Sequence, residues 1–348
     1  MKLPNIFQKS NLPNNITNGI ALDIGTEVLK TILFDTNEKG VVVKKVARIQ
    51  QQQNAMQSGI IKNLNTVLEN CRLALSEITN GVDITEPPKY TVMGIAGEAV
   101  QGVSIVVNYE REEKFDMDVT EKEQKEIIQR VHKQILENGK EDLAKRIGLV
   151  SEDIEILHIT VTGMEIGGMN VNNLIGFRGK NVKLNFYASF APKTYTEALH
   201  NVASSLKLEI IGIVSQPFAV ARGFVGATDK DFSGIFVDIG GGTTDVAIVS
   251  KGSVIDTQMF AFGGRVFTKE LAKALNLDYR HAELRKIKYS MGELDDRLGN
   301  QVKKVVYPIA QVWMKTLKSA LDLNHDLDVL PNKIYLCGGG SLLPEIKE

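Results

Sequence analysis

A glycine-rich motif occurs twice in this sequence, and both copies have the pattern of a tight strand-turn-strand hairpin. The first copy is LDIGTEVLKTILF, residues 22–34, and the second is VDIGGGTTDVAIV, residues 237–249. Each consists of an apolar run, the triplet Asp-Ile-Gly, a short polar turn and a second apolar run. A single copy would fit an ordinary hairpin whose aspartate bonds its own turn. Two copies predict two related halves that face one ligand.

The residue types in these turns are those that bind nucleotide phosphates. Glycine accepts positive φ angles and carries no Cβ, so several backbone amides can converge on one phosphate. Threonine hydroxyls add donors at the rim. The expected phosphate-binding residues are Gly25 and Thr26 in the first turn (residues 25–27) and Gly240, Gly241, Gly242, Thr243 and Thr244 in and after the second turn (residues 240–243).

The aspartate of each motif has a different expected role. Asp23 and Asp238 would repel a phosphate directly, so we expect them to hold a Mg²⁺ ion through its water shell. Magnesium in proteins keeps several waters and is bound by one or two carboxylates together with phosphate oxygens. Lys30, on the returning strand of the first motif, is placed to reach the β- or γ-phosphate as a point charge.

A third glycine turn, Gly338-Gly339-Gly340-Ser341 (the third turn), follows an apolar run near the end of the sequence. The presence of three such turns favours the interpretation that they form a phosphate site over the interpretation that each motif is an ordinary hairpin. Neither the P-loop pattern G-x-x-x-x-G-K-[ST] nor a G-x-G-x-x-G fingerprint occurs. The five histidines are scattered, without the spacing of a zinc protease or a Ser-His-Asp hydrolase. The sequence therefore argues against these classes of enzyme.

The composition is that of a soluble globular protein. The 348 residues are 43% apolar and 24% charged, with a net charge of -1, so nothing in the charge balance indicates a nucleic-acid partner. The sequence contains no long apolar run and no cleavable leader, which predicts a cytoplasmic location. We expect residues 1–18, MKLPNIFQKSNLPNNITN, to form a flexible tail.

Periodicity and turn residues predict the remaining elements. An α+β module of one strand, one helix and two strands is expected over about 99–192, after a break with two prolines. Amphipathic helices are expected over 64–80, 194–206 and 266–274, and a long charged helical region over 279–323, interrupted at Gly292, Gly299 and Pro308.

Taken together, these motifs resemble those of the actin/hexokinase/DnaK-type ATPase superfamily. ALDIGTEVLKTILFD is similar to its first phosphate loop, VDIGGGTTDVAIVSKGSV to its second, and IYLCGGGSLLP to its adenosine motif, while SQPFAVARGF stands where the connecting motif lies. Within the superfamily, the sequence resembles the FtsA family of bacterial cell-division proteins. MGIAG followed by the α+β module is similar to the FtsA subdomain 1C. FAFGGRVFTKELAKAL and HAELRKIKYS are similar to the FtsA stretch after the second phosphate loop.

The resemblance implies an α/β protein with the actin-like ATPase fold, which has two ribonuclease H-like lobes, here with an inserted α+β subdomain 1C of the SHS2 type. Lobe 1 (subdomain 1A) would comprise residues 19–98 and 193–230, and the insert residues 99–192. Lobe 2 (subdomain 2A) would comprise residues 231–348, with a reduced subdomain 2B around 281–302.

The resemblance also implies ATP and Mg²⁺ as ligands, and it adds site residues. The third turn would contact the adenosine, Gly263 and Gly264 would lie near the phosphates, and Glu283 and Lys286 would lie near the ribose or adenine. Gln216 stands where ATPases of the superfamily carry Gln or Glu and would orient an attacking water, although a glutamine that merely ends a strand fits as well. At most slow, Mg-dependent hydrolysis is expected. The candidate catalytic residues are Asp23, Asp238 and Gln216.

An FtsA-like protein would polymerise and link the cytokinetic ring to the membrane and the divisome, on the inner face of the cell membrane. Its expected partners are further copies of itself, membrane proteins bound through subdomain 1C, and the tail of FtsZ. FtsA docks that tail on subdomain 2B, for which the interval 290–302 is short, so FtsZ binding is the least supported of these. The sequence also ends just after the third turn, which predicts a truncated chain that lacks the family's C-terminal membrane helix.

Two other functions remain open from the sequence. A PilM-like cytoplasmic ATP-binding adaptor of type IV pilus assembly shares the architecture with subdomain 1C. The short 2B interval favours this alternative, whereas GGGTTD in the second motif favours FtsA. A small-molecule kinase of the same superfamily would need a catalytic carboxylate that faces the γ-phosphate, and the sequence offers no candidate for it.

Overall fold

The structure is a computed structural model, which describes residues 15–84, 86–112, 115–225, 231–322 and 329–347. Most of the expected flexible tail, residues 1–14, lies outside the described residues. The end of that segment is part of the fold. Ile16 exchanges two hydrogen bonds with Thr36, and the amide of Asn18, a buried residue, donates to Asp35 at 2.8 Å. The expectation of a flexible tail therefore does not hold for these two residues.

Strands and helices follow one another along the described chain. The strands are β1 (Gly19–Ile24), β2 (Val28–Asn37), β3 (Gly40–Gln50), β4 (Met56–Gln57), β5 (Ile60–Ile61), β6 (Tyr90–Ile95), β7 (Gln101–Glu110), β8 (Ile154–Ile166), β9 (Met169–Val171), β10 (Asn181–Pro192), β11 (Glu209–Ser215), β12 (Gly234–Ile239), β13 (Thr244–Ser250), β14 (Ser253–Phe260) and β15 (Ile334–Cys337). The helices are α1 (Leu64–Thr79), α2 (Glu121–Ile147), α3 (Lys193–Ser205), α4 (Gln216–Val225), α5 (Gly264–Ala274), α6 (Tyr279–Ser290), α7 (Asp296–Asp322) and α8 (Pro344–Lys347). Within the described ranges, none of these helices is long and apolar enough to cross a bilayer.

Lobe 1 is built on a five-stranded sheet with the order β11-β6-β1-β2-β3. β1 and β2 form the predicted hairpin, and β6 runs parallel to β1 on its other side. Leu29 and Leu33 of the hairpin are fully buried and share a core with Val67 and Cys71 of α1, which follow each other at helical spacing. The first turn is therefore held at the end of two strands that are anchored in the core.

Lobe 2 and the insert share one eight-stranded sheet, in the order β15-β12-β13-β14-β7-β10-β8-β9. The first four strands belong to lobe 2 and contain the second predicted hairpin, β12–β13. The last four belong to the insert and are covered by α2, whose Ile127 and Val131 are buried in one core with Phe186. The strand, helix and two strands expected for the insert are present, and the short β9 is an addition.

Buried polar contacts hold the insert against lobe 2. β14 and β7 pair at Thr257 and Gly102. The hydroxyl of Tyr187, which is fully buried, lies 2.8 Å from Thr257 Oγ1, and Ser104 Oγ donates to Ile255 O at 2.6 Å. Gly102 leaves room for this contact, because a Cβ there would stand 2.0 Å from the Tyr187 oxygen. The insert, which the chain enters and leaves from lobe 1, therefore rests on lobe 2.

Helix α7 continues through two residues that were expected to interrupt it. Gly299 and Pro308 both lie inside the helix. Pro308 and Lys304, whose carbonyl loses its helical partner to the proline, are both exposed, so water can satisfy the carbonyl. On the opposite face, buried residues recur at helical spacing as far as Leu317 and keep the helix continuous. Tertiary packing outweighs the local cost of the two helix breakers.

The link between α6 and α7 is short. It comprises residues 291–295 and contains Gly292, whose φ of 72° ends α6 at the predicted interruption. The resemblance to FtsA places subdomain 2B in this interval. The structure has only this five-residue connection there.

Candidate functional site

The first and second turns meet at the boundary between the two lobes. A Cβ on Gly242 would stand 2.7 Å from Thr26 Oγ1, and one on Gly241 would stand 2.6 Å from Glu27 Cβ. Glycine is therefore required at both positions because the two turns approach too closely for a side chain, and not because the backbone has a positive φ angle there. The Thr26 hydroxyl also accepts a hydrogen bond from the amide of Gly59 at 3.0 Å. The structure thus brings together the two motifs that sequence analysis singled out.

Asp23 lies between two polar side chains. It faces Lys30 across the β1–β2 hairpin, with 3.0 Å between Lys30 Nζ and Asp23 Oδ2. Its other carboxylate oxygen accepts a hydrogen bond from the side-chain amide of Gln216, the first residue of α4. Gly94 on the neighbouring strand lies beside both side chains, since a Cβ there would be in ordinary contact with Gln216 at 3.5 Å and with Asp23 Oδ1 at 3.8 Å. The three polar residues form one connected group.

The charge of Lys30 is maintained by its surroundings. Burial lowers the pKa of the ammonium, but the carboxylate of Asp23 and, more weakly, that of Asp238 raise this pKa above its ordinary value overall. Burial raises the pKa of Asp238, Lys30 lowers it and Asp23 raises it again, with a net upward shift. The two motif aspartates and the lysine therefore lie close enough to influence one another. This result agrees with a single shared site.

Asp245 is a member of the site that sequence reasoning missed. It stands directly opposite Asp238 in the β12–β13 hairpin, as Lys30 stands opposite Asp23 in the first hairpin. The side chain is almost completely buried, and among the described residues its Oδ1 has no hydrogen-bond partner. Burial, followed by the nearby Asp238, raises the pKa of Asp245 to about 8. The matching register of the two motifs was the signal that could have identified it.

The third turn packs directly on the second motif. β15 runs parallel to β12 and pairs Cys337 with Asp238. Gly338 has a φ of 79°, and a Cβ there would stand 2.2 Å from Asp238 Oδ1. A Cβ on Gly340 would stand 2.3 Å from Ile239 Cγ2. The carbonyl of Gly338 accepts a bond from the hydroxyl of Ser341 at 2.7 Å.

Within the same turn, Gly339 differs from its neighbours. A Cβ on Gly339 would meet no atom within 4 Å, whereas one on Gly338 or Gly340 would collide with the second motif. Gly339 therefore borders open space. This is the side of the third turn on which a ligand can approach.

Gly263 and Gly264 also lie beside the second turn. The amide of Gly264 donates to Gly240 O at 2.8 Å, and a Cβ on Gly263 would stand 2.6 Å from the same oxygen. Within the second turn, the amide of Gly240 donates to Thr243 O at 2.9 Å. The start of α5 is thereby fixed to this turn by its backbone. Both glycines thus lie beside the turn that is expected to bind phosphates, and their closeness to the phosphates stays a prediction.

Thr244 does not have the expected position. Its hydroxyl donates to Phe262 O and accepts a bond from the indole of Trp313 at 2.9 Å, and its side chain is fully buried inside lobe 2. The hydroxyl is therefore unable to contribute a donor at the rim of a phosphate site. The reason is the strand alternation, because Thr244 begins β13 and faces the core.

Glu283 and Lys286 form a pair that faces α5. Lys286 Nζ lies 2.7 Å from Glu283 Oε2, 2.8 Å from Thr268 Oγ1 and 3.1 Å from Gly264 O. These three bonds use all the donors of the ammonium. The pair lies next to the glycine that contacts the second turn, but in this arrangement Lys286 has no donor left for a ribose or an adenine. Their role in nucleotide binding stays a prediction.

Arg265 joins the two halves of the site, and no sequence pattern indicated it. Its amide donates to Gly241 O at 2.8 Å, while its guanidinium extends into lobe 1. There Nε lies 2.6 Å from Glu27 Oε2, and an Nη2 bond of 2.7 Å reaches Thr26 O. Two further bonds from Nη1 reach Met56 O at 3.0 Å and Gln53 O at 3.2 Å. The only sequence signal was its position directly after a glycine pair.

The residues suit a magnesium ion held through water better than one held directly. Among the described residues, no group of three His, Cys, Asp or Glu side chains lies close enough to bind a metal. Asp23 and Asp238 remain as two carboxylates, and Asp245 adds a buried oxygen without a partner. Magnesium typically keeps most of its waters and takes only one or two protein carboxylates. The donor set therefore fits such an ion.

Comparison with known proteins agrees with the motifs. The sequence model of the family "Cell division protein FtsA" matches residues 235–348. The FtsA protein of Neisseria meningitidis serogroup B is 24% identical over 352 residues, which cover 94% of this chain and 79% of that protein. The FtsA protein of Enterococcus hirae is 24% identical over 358 residues, which cover 94% of this chain and 74% of that protein.

Two solved structures share the fold. A chain of the PilM-PilN type IV pilus biogenesis complex superposes with a TM-score of 0.65 at 17% identity, over 96% of this chain and 84% of that chain. The ethanolamine utilization protein EutJ of Carboxydothermus hydrogenoformans superposes with a TM-score of 0.51 at 16% identity, over 99% of this chain and 84% of that chain. At these identities the likeness shows the fold alone. The predicted actin-like ATPase fold is confirmed.

Proposed function

We propose that this FtsA-like protein binds ATP with Mg²⁺ between its two lobes and acts in bacterial cell division. The observation that carries the proposal is the meeting of three glycine turns around Asp23 and Asp238, in a chain that FtsA proteins match over 94% of its length. Glycine turns supply amide donors for phosphates, and the two carboxylates supply the charge that a hydrated divalent cation needs.

Each part of the nucleotide has suitable residues in this proposal. The amides of the first and second turns bind the phosphates, and Lys30 adds a positive charge beside Asp23. Gly339, which borders open space, lets the adenosine approach the third turn. Magnesium, when bound, neutralises charge on the phosphate oxygens and polarises them. Asp23 and Asp238 hold its water shell in place.

Hydrolysis in this site would be slow. The Gln216 amide group donates to Asp23, which leaves the Gln216 carbonyl oxygen as an acceptor that can orient a water. A glutamine orients a water but does not take its proton efficiently, as in unassisted phosphoryl-transfer sites. ATP therefore acts mainly as a ligand that favours one arrangement of the lobes, because it contacts both of them.

In cell division, we propose that the protein assembles into filaments and links the cytokinetic ring to the inner face of the cell membrane. Its proposed partners are other copies of the chain, membrane proteins that bind the insert, and the tail of FtsZ. The insert offers a platform for partners, since it has its own core of buried residues from α2, β8 and β10, against which partly buried residues of β7 pack.

One observation favours a second candidate, a PilM-like cytoplasmic adaptor of type IV pilus assembly. The connection between α6 and α7, residues 291–295, leaves no room for a subdomain 2B. If FtsZ docks on 2B, a chain without this subdomain has lost the docking site. The two candidates share the proposed ATP site and differ in the partner.

The test is fluorescence anisotropy of a labelled C-terminal FtsZ peptide from the same organism, titrated with this protein and Mg-ATP. Saturable binding supports the division role and shows that the short link still permits docking. Absence of binding at high micromolar protein, with ATP binding intact by calorimetry, contradicts this role and favours the pilus adaptor. The variant Asp238→Asn serves as a control that should lose ATP, and unchanged ATP affinity in this variant would contradict the proposed site.

A further inference from the structure

Arg265 is attached to the two lobes by different parts of the same residue. Its backbone belongs to α5 and is bonded to Gly241 in the second turn. Its guanidinium makes four hydrogen bonds to lobe 1, and the acceptors are the carboxylate of Glu27 and the carbonyls of Thr26, Gln53 and Met56. A single side chain thus spans the boundary between the two turns.

The contact has the geometry of a guanidinium and not simply that of a positive charge. The four acceptors lie around the planar group and are reached from Nε, Nη1 and Nη2, whereas a lysine would present three donors from one point. Only 14% of the Arg265 side chain and 21% of the Glu27 side chain are exposed. Glu27 is itself held by Gln50, whose side-chain amide donates to Glu27 Oε1 at 2.9 Å. Both members of the ion pair are therefore fixed in position.

The bond to Thr26 O determines how the first turn faces the second. A peptide group is planar and trans, so the N–H of Glu27 points away from the Thr26 carbonyl. Arg265 holds this carbonyl on its own side, and the Glu27 nitrogen lies 3.4 Å from where a Cβ on Gly241 would stand. The Glu27 N–H is therefore held pointing away from the guanidinium, in a peptide that packs directly against the second turn.

We propose that Arg265 is a positioning residue that acts on the first turn from the opposite lobe. It holds the Thr26–Glu27 peptide in the orientation in which its N–H can donate to a phosphate, and it couples this orientation to the contact between the first and second turns. The part of this inference that concerns phosphate rests on the proposed ATP site. The part that concerns the contact between the lobes does not depend on ATP.

The first experiment measures Mg-ATP affinity by calorimetry for Arg265→Ala, Arg265→Lys and Glu27→Gln. Removal of several charge-assisted bonds should weaken binding of Mg-ATP by about tenfold or more in Arg265→Ala, with a smaller loss in the other two. Lys269→Ala is the matched control, because Lys269 is on the same helix and is exposed. Affinity within about twofold of the unmodified protein in Arg265→Ala would overturn the proposal.

A double-mutant cycle distinguishes a positioning role of Arg265 from an effect of its positive charge alone. If Arg265 and Glu27 act as one unit, adding Glu27→Gln to Arg265→Ala should cause little further loss of Mg-ATP affinity. Independent, additive losses would contradict a shared action on the first turn. If Arg265→Ala does not fold, Arg265→Lys and Glu27→Gln decide the question, and unchanged affinity in both would overturn the proposal.

The second experiment uses hydrogen exchange without nucleotide. In Arg265→Ala, the amides of Gly59 and Lys62, which are bonded to Thr26 and Ala55 in lobe 1, should exchange faster although the altered residue is in lobe 2. Unchanged exchange in these amides would show that Arg265 does not hold the lobe 1 segment. The unmodified protein could fail to bind Mg-ATP while the amides of Gly59 and Lys62 still exchange faster in Arg265→Ala. In that case the proposed function is wrong, but the inferred coupling between the lobes is supported.

Discussion

Lys30 and Asp245 occupy equivalent positions in the two hairpins, each directly opposite the aspartate of its motif. The same backbone register thus presents an ammonium beside Asp23 and a second carboxyl beside Asp238. The two halves of the site are related in shape and different in charge. In the first hairpin Lys30 is an ammonium beside Asp23, whereas in the second the raised pKa of Asp245, about 8, favours a neutral carboxyl beside Asp238 below that pH.

Replacement of Asp245 by asparagine should change how stability depends on pH. The folded pKa, about 8, lies above the ordinary value for aspartate. The neutral carboxyl of Asp245 therefore contributes fully to the free energy of unfolding below about pH 4. This contribution is lost as the pH rises toward 8, by at most about 1.4 kcal/mol per pH unit. Urea unfolding without nucleotide, at several pH values between about 5 and 8, should show that Asp245→Asn flattens this decline.

The comparison between the two proteins is needed because other groups also titrate in this range. The contributions of groups far from Asp245 are common to the unmodified protein and to Asp245→Asn, so the difference in the free energy of unfolding reports on Asp245 and its coupling to Asp238. Parallel pH profiles would show that Asp245 is already ionised in the folded protein and that its surroundings do not raise its pKa.

Trp313 should report on the second turn by fluorescence. It is the single tryptophan of the sequence, and its buried indole donates to Thr244, which directly follows the turn. A ligand that moves the turn changes the surroundings of the indole, so Mg-ATP should alter the emission with the same affinity as calorimetry gives. Unaltered emission during demonstrated binding would show that the turn is rigid. Trp313→Phe, which has no tryptophan, is the control for emission from other sources.

Substitution of alanine for Gly338 should destabilise the protein by about 1–3 kcal/mol and weaken Mg-ATP binding. The backbone has positive φ there, and the new Cβ would stand 2.2 Å from Asp238 Oδ1. Gly339→Ala is the matched control for stability, because a Cβ on that residue meets nothing within 4 Å. Thermal unfolding of both variants checks the prediction, and equal effects would contradict it.

The hydrogen bond between Tyr187 and Thr257 should show strong coupling. Tyr187→Phe leaves the buried hydroxyl of Thr257 without this 2.8 Å contact, and Thr257→Val does the same to the hydroxyl of Tyr187. Each single variant should lower the free energy of unfolding by about 1–3 kcal/mol. The double variant removes both hydroxyls and should be less destabilised than the sum of the two. Urea unfolding of the four proteins gives the coupling, and additive costs would show that this bond does not join the insert to lobe 2.

The hairpins could be predicted from sequence because their determinants are local. The glycines, the alternation of apolar residues and the spacing of Asp23 and Asp238 lie within short segments. Arg265 could not be found in this way, since its acceptors lie on segments that are distant in sequence and meet it only in the folded chain. The insert's contact with lobe 2 was missed for the same reason. Thr244 was assigned to the rim from its residue type, whereas the alternation of β13 turns its hydroxyl inward.

The shared sheet gives the insert a mechanical connection to the site. Strand β7 of the insert pairs with β14, and only residues 261 and 262 separate the end of β14 from Gly263 and Gly264 at the second turn. The insert is therefore connected to the backbone that bonds to Gly240 through one strand and two further residues. If membrane partners bind the insert and ATP binds at the turns, as proposed, a force on the insert and the occupancy of the site would be coupled through this backbone.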